Sequence, residues 1–186
     1  LIIVGDDKQV SPSSIGIEIE QTNNLLTTYL KDKIPNWHLF NPQSSLYDIA
    51  GTTFQPLMLR EHFRCVPDII GYSNKLSYNG KIKPLREARS SNLLPAVINY
   101  HVDSGNRDVS NKINEAEADA IVSLIQACIE QPEYADKTFG VISLLGEEQA
   151  VLIQNKIYEK IDILEYEKRK ILCGNASNFQ GDERDV

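Results

Sequence analysis

Apolar positions along the chain recur at two spacings, and the change of spacing predicts its elements. Leu1 to Val4 is a short apolar run ending in Gly5-Asp6-Asp7, the pattern of a buried strand in a parallel sheet. From about residue 17 to 34, Leu25, Leu26, Tyr29, Leu30 and Ile34 fall at helical spacing and Pro35 stops the run. Asn36 to Gly51 is rich in Asn, Pro and Ser and reads as loop, with one turn of helix at Ser45 to Ala50. Phe54 to Leu59 reads as a strand. Pro67 then opens a helix, since a first-turn proline lacks only an N–H that would have no partner there, and Asn79-Gly80 closes it. Ile82 to Leu94 is basic, Ser-rich loop, Ala96 to Val102 alternates like a strand, and Ser104 to Asn111 is polar loop.

The clearest helix runs from Asn114 to Gln131. Asn114 is placed as its N-cap, Glu115 and Glu117 sit in the first turn, and Ile121, Leu124, Ile125 and Cys128 form the apolar stripe. Thr138 to Leu145 is a strand. Glu147 to Ile161 is an amphipathic helix with Ala150, Ile153, Ile157 and Ile161 in line, and Ile163 to Lys170 continues or restarts it. Ile171 to Cys173 is a short strand and Gly174 to Asp185 a polar turn region. Strands alternating with helices predict a parallel sheet covered on both faces. Ligands of such sheets sit beyond the carboxyl ends of the strands, which directs attention to Gly5–Pro12, Arg60–Arg64, Ser143–Gln149 and Asn175–Glu183.

Composition narrows the class. The 186 residues are 41% hydrophobic and 24% charged, ordinary for a folded globular chain. No apolar run approaches the ~20 residues of a membrane-spanning helix, so no membrane partner is expected. The N-terminus lacks the basic region and cleavage site of a signal peptide, and it opens inside an apolar run without a Met, as if cut from something longer. Cys65, Cys128 and Cys173 are far apart and form no CxxC or Cys/His cluster, so no metal site is expected and reduced thiols in the cytoplasm are. The net charge of −7 hides a basic island. Arg60, Arg64, Lys75, Lys81, Lys83, Arg86 and Arg89 face only Glu61, Asp68 and Glu87 in the same stretch. Such an island marks either a solvated loop or a surface for phosphates.

Each post-strand segment carries a chemistry. A Gly-Asp turn is common, but Gln9, four residues after Gly5, adds a side-chain amide that both donates and accepts. That combination suits holding a phosphate oxygen or orienting a water. Arg64 stands just before the Pro67 helix, where an anion is favoured and a guanidinium can stabilise a transferring phosphoryl group; the alternative is a surface arginine paired with a carboxylate. His62 reads as a satisfied hydrogen-bonding residue. Ser143, at the mouth of the next helix, can meet a nucleic-acid phosphate. In Asn175–Asp185, Gly181 permits close backbone approach and Glu183 can accept from a ribose hydroxyl, although a single segment of this kind is otherwise an acidic surface turn.

In this order, the four segments resemble consecutive motifs of superfamily 1 helicases. The nearest branch is that of the nonsense-mediated-decay helicase and its bacterial AAA-type ATPase relatives. Gly5–Pro12 is similar to GDxxQLxP, with Val10 for Leu. Leu59–Pro67 is similar to LxxQYRMxP, with His62, Phe63 and Cys65 substituted. Val141–Gln149 is similar to GVITPYxxQ, with Leu145 and Gly146 in the tyrosine region. Asn175–Asp185 is similar to TxDxFQGxExD, with Asn175 for Thr and Ser177 for Asp. Tyr72–Tyr78 with Gly80-Lys81 matches that branch's fxNxxfYxgxl run.

The resemblance implies an α/β fold of the RecA-like (P-loop NTPase) kind, a parallel sheet with helices on both faces, forming the second core domain of a helicase. Residues 1–12 would hold the last strand and GDxxQ motif of the first RecA-like domain, 13–53 a connection, and 54–186 the second domain, truncated at its end. It implies a nucleotide-binding hydrolase that couples ATP, with Mg2+, to movement on single-stranded DNA or RNA. Gln9 and Arg64 would be the catalytic pair. Gly5, Asp6, Gln180, Gly181 and Glu183 would bind nucleotide, and Ser143 and Asn175 the nucleic acid. Within this chain no GxxxxGK followed by Ser or Thr occurs, and it carries no Asp-Glu pair ahead of the Leu1 strand. ATP and Mg2+ would therefore need the chain's own missing first RecA-like domain, and the chain alone would be inactive. Two alternatives stay open: a non-catalytic RecA-like docking module that uses the basic island Lys75–Arg89, and a helicase-like ATPase fused to a nuclease.

Overall fold

The structure, a computed structural model, describes residues 2–11, 16–87 and 93–186. Leu1, Pro12 and Arg89, each part of an expectation above, lie outside the described residues. The chain divides into two compact units, Leu1–Cys65 with Ile70–Leu85, and Val66–Ile69 with Arg86–Val186.

In the first unit, α1 (Ile19–Tyr29) buries Leu26, and a 3-10 turn follows at Trp37–Leu39. Helix α2 (Leu46–Gly51) starts at a capping box. Ser45 Oγ accepts from the Asp48 N–H at 3.1 Å, and Asp48 Oδ2 accepts from the Ser45 N–H at 2.8 Å. The chain then forms a β-α-β unit from β1 (Glu61–His62), α3 (Pro67–Ser77) and β2 (Lys83–Pro84), with the strands parallel. The Lys83 N–H donates to the Arg60 carbonyl at 2.6 Å and the Leu85 N–H to the His62 carbonyl at 2.8 Å. Pro84 falls between these two donors, where its missing N–H costs no ladder bond.

The return from α3 is clamped by Asn74. Its Oδ1 accepts from the Ile82 N–H and its Nδ2 donates to the Ile82 carbonyl, both at 2.9 Å. This clamp fixes the register of β2, so pairing falls on Glu61–His62 and not on the expected Phe54–Leu59 strand. Leu57 is 89% exposed. Two further expected strands do not form. Residues 2–4 and Ala96–Val102 have no ladder partner among the described residues, and Ile2 and Ile98 are 90% and 72% exposed.

The second unit contains α4 (Glu115–Ile129), β3 (Gly140–Ile142), α5 (Glu147–Lys160), α6 (Ile163–Lys168) and β4 (Leu172–Gly174). Strands β3 and β4 are parallel, with Gly140, Val141 and Ile142 opposite Leu172, Cys173 and Gly174. Each unit thus holds a two-stranded parallel pair joined through helix; a mixed α/β arrangement is present, without one wide sheet among the described residues. The core gathers Ala118, Val122 and Ile125 of α4, Phe139 and Val141, Ile153 and Ile157 of α5, and Ile161 and Ile171. Leu124 lies outside this core, half-exposed; Ala118 and Val122 take the inner face of α4 instead.

Arg169 is buried beside the core. Its Nε donates to Glu165 Oε2 at 3.0 Å, and its Nη1 donates to the carbonyls of Tyr134 and Ala135. On the β3 edge away from β4, the Val186 N–H donates to the Thr138 carbonyl at 3.1 Å and the Gly140 N–H donates to the Val186 carbonyl at 2.8 Å, the pattern of a parallel neighbour. Asp185 secures that edge, its Oδ2 accepting from the Thr138 N–H at 3.0 Å and hydroxyl at 2.8 Å.

Candidate functional site

Four turns carry the residues singled out in the sequence, two in each unit. In the first unit, Asp6 is the hub of the Gly5–Gln9 loop. Its Oδ1 accepts from the Lys8 N–H at 3.0 Å. Its Oδ2 accepts from Gln9 Nε2 at 2.8 Å and from the Tyr78 hydroxyl at 2.6 Å. Burial pushes the Asp6 carboxyl upward, but the bonds from Tyr78, Lys8 and Gln9 outweigh it and hold the group below the usual carboxylate range. The Tyr78 phenol is pushed up to about 12, first by its bond to Asp6 and then by burial and the charges of Asp6 and Asp7. Gly5 lies against the ring of Tyr47. Gln9 is exposed, held at one end by Asp6.

Arg64 occupies the turn between β1 and α3 and is exposed. The turn is closed by His62, whose Nε2 accepts from the Cys65 N–H at 2.9 Å. That bond assigns the ring hydrogen to Nδ1 and makes His62 a structural residue of the Arg64 turn. Gln9 and Arg64 thus stand on separate turns of the same unit. Of the basic island, Lys75, Lys81 and Lys83 are exposed.

In the second unit, the ladder brings Ser143 and Asn175 together at the carboxyl ends of β3 and β4. The buried Ser143 donates its N–H to the Gly174 carbonyl at 2.8 Å, and its Oγ accepts from the Leu145 N–H at 3.2 Å. Asn175 Oδ1 accepts from the Ser177 N–H at 2.9 Å and the Asn178 N–H at 3.3 Å. The Asn175 N–H donates to Asn178 Oδ1 at 2.8 Å. Asn178 lies so close that a Cβ on Gly174 would fall 2.6 Å from its Cβ, so only glycine fits there. The asparagine in place of the motif's threonine therefore builds the turn with its side-chain oxygen.

The rest of this turn is anchored at both ends. The Phe179 ring covers Gly140 of β3, and Arg184 Nε donates to the Lys170 carbonyl at 2.8 Å. Between these anchors, Gln180, Gly181 and Glu183 are exposed. Gly181 has φ +82° with open space where a side chain would be, so its backbone conformation is what requires glycine. The Glu183 N–H donates to Asp182 Oδ1 at 2.8 Å.

Residues 39–186 match the family described as AAA domain. The chain belongs to the AAA domain family. It is 26% identical to the 5'-3' DNA helicase ZGRF1 of Mus musculus over 194 aligned positions, covering all of this chain and 9% of that helicase. The two matches show the superfamily 1 helicase-like character read from the motifs. No solved structure matches.

In this AAA domain the last residue of the third motif has a structural role that its motif position does not reveal. Gln149 on α5 is 2% exposed. Its Oε1 accepts from the Asn114 N–H at 2.7 Å and its Nε2 donates to the Asn114 carbonyl at 3.1 Å. It thereby holds the residue whose Oδ1 caps α4 by accepting from the Glu117 N–H at 3.2 Å. Its position gives a signal: Gln149, Ile153 and Ile157 recur at i, i+4 and i+8, so a polar side chain on that stripe needs a buried partner. Tyr78, quoted in the motif run, acquires a site role only through its bond to Asp6.

Arg64 brings a fixed positive charge, and Gln9 an amide with Oε1 and a second Nε2 hydrogen beyond those used by Asp6. Among the described residues of the AAA domain, no group of three or more His, Cys, Asp or Glu is placed to hold a metal ion. Among them also, no helix is long and apolar enough to cross a membrane.

Proposed function

We propose that the chain contributes the second RecA-like domain of an ATP-dependent helicase or translocase that moves on single-stranded DNA or RNA. In this reading residues 1–12 carry the end of the first RecA-like domain, 13–53 connect, and 54–186 build the second domain on a parallel sheet with helices on both faces. Bound ATP would supply the free energy of phosphoanhydride cleavage. Arg64 neutralises charge on the terminal phosphate, and Gln9 orients the attacking water with the amide atoms that Asp6 leaves available. Gln180, Gly181 and Glu183 bind nucleotide from their exposed turn, and Gly5 and Asp6 bind it from the Gly5–Gln9 loop. Ser143 and Asn175 meet the nucleic-acid backbone, Ser143 through the hydrogen of its hydroxyl and Asn175 through Nδ2, its Oδ1 being held in the turn. The metal ligands belong to the first RecA-like domain of a longer protein, and the setting is cytoplasmic.

The observation that carries the reading is the β3–β4 pairing. It sets Ser143 beside Gly174-Asn175 at the carboxyl ends of two parallel strands, and the Phe179–Glu183 turn leaves from that same end. Ligands of α/β sheets bind at such an end. The test is ATP turnover with Mg2+, with and without single-stranded oligonucleotide. The 186-residue chain alone is expected to be inactive, and a longer protein carrying the first domain to be stimulated by the oligonucleotide. Metal-dependent turnover by the 186-residue chain contradicts the reading.

A further inference from the structure

We propose that Tyr78 is a positioning residue that, through Asp6, fixes which end of the Gln9 amide faces the ligand. The inference rests on the reading of Gln9 as the residue that meets the terminal phosphate and its water.

An ionised carboxylate only accepts hydrogen bonds, so each group bonded to Asp6 must present a hydrogen. Oδ2 takes two such groups, the Tyr78 hydroxyl at 2.6 Å and Gln9 Nε2 at 2.8 Å, while Oδ1 is occupied by the Lys8 N–H at 3.0 Å. Turning the Gln9 amide over would set Oε1 against Oδ2, two acceptors with no hydrogen between them. Gln9 is therefore held with Nε2 toward Asp6 and Oε1 away from it. Oε1 in that direction accepts a hydrogen from water, the property a water-orienting residue needs.

Tyr78 is what keeps the carboxylate in place. Asp6 and Gln9 belong to one short exposed loop, whose other contacts to Asp6 come from within the loop itself. The Tyr78 hydroxyl reaches it from 72 residues away, at the end of α3. The bond favours the protonated phenol, and the raised Tyr78 value of about 12 agrees with that direction. Helix α3 begins at the Arg64 turn, so a single element joins that turn to the support of Gln9. Nothing in the loop's own sequence provides this link, because Lys8, its one basic side chain, pairs with Asp7 at 2.7 Å.

The test compares wild type with Tyr78→Phe, which removes one oxygen and keeps the ring. In the 186-residue chain, the two Gln9 Nε2 hydrogens are followed by NMR. Well-separated, slowly exchanging signals are expected in wild type, and averaged, faster-exchanging ones in the variant. In the longer protein, kcat for ATP is expected to fall by about ten- to a hundredfold with KM changed less than about twofold. Asp6→Asn is expected to produce a similar loss, and the double variant no more than the larger single loss. Gln9 signals that ignore Tyr78→Phe overturn the proposal, as do fully multiplicative losses in the double variant. A Gln9 signal that responds to Tyr78→Phe in a protein without ATP turnover upholds the positioning and overturns the phosphate-sensing reading of Gln9.

Discussion

Gln149→Ala tests whether the glutamine of the third motif is a structural residue. Gln149 is 2% exposed and makes two bonds, 2.7 and 3.1 Å long, to the backbone of Asn114. A net contribution of about 1 kcal/mol for each bond gives a loss of about 2 kcal/mol. That is roughly a thirtyfold drop in the ratio of folded to unfolded protein, large against a usual stability of about 5–15 kcal/mol. Loosening Asn114 also weakens the cap it gives Glu117, so the loss falls first on the start of α4. Urea unfolding of the 186-residue chain followed by far-UV circular dichroism reads the loss as a lower midpoint. Hydrogen exchange at Asn114 and Glu117 locates it. Gln154→Leu is the control on the same helix. Its Nε2 is buried without a partner among the described residues, and its Oε1 accepts a long 3.3 Å bond from the Tyr166 hydroxyl, so it should cost less than about 1 kcal/mol. A Gln149→Ala loss under about 0.5 kcal/mol, or no larger than that of Gln154→Leu, refutes the reasoning.

Three further outcomes follow from the same packing. Ile157→Ala empties a site with 0% exposure at the centre of the core and is expected to cost about 2–5 kcal/mol in urea unfolding. Gly174→Ala forces a Cβ to within 2.6 Å of Asn178 and is expected to cost about 1–3 kcal/mol, with lost protection at the Ser143 amide that bonds Gly174. Tyr78, raised from 10.0 to about 12 in the fold, contributes stability that is fully present below its unfolded value and is lost as pH rises through about 12. Burial also pushes the Tyr166 phenol up to about 12, so alkaline ultraviolet titration should show a late phase that Tyr78→Phe reduces by one phenol without abolishing it.

How much was legible in the sequence depended on whether a signal was local. Helices α4 and α5 were readable because their apolar stripes end at recognisable starts, Asn114 for α4 and the Gly146 turn for α5, and all of Ala150, Ile153, Ile157 and Ile161 are buried. The apolar runs at 2–4, 54–59 and 96–102 misled because a strand is made by its partner's backbone, which a run of side chains does not reveal. Those stretches join no ladder among the described residues and are mostly exposed, while pairing settled at Glu61–His62, where the Asn74–Ile82 clamp delivers β2. The site segments were legible as turns, since Gly-Asp, Phe-Gln-Gly and Val-Pro-Asp are short-range patterns. Their internal wiring was not. The Tyr78–Asp6 bond spans 72 residues, and the Asn175 side chain turned inward because Asn178, not a ligand, meets its oxygen.

The central claim is that Arg64 acts on the phosphate being transferred. Single-turnover ATP hydrolysis by the longer protein, with Arg64→Ala beside wild type and nucleotide binding measured separately, tests it most directly. A loss of about a thousandfold or more in the hydrolysis rate with nucleotide affinity retained is the predicted result. Hydrolysis by Arg64→Ala at the wild-type rate contradicts the account.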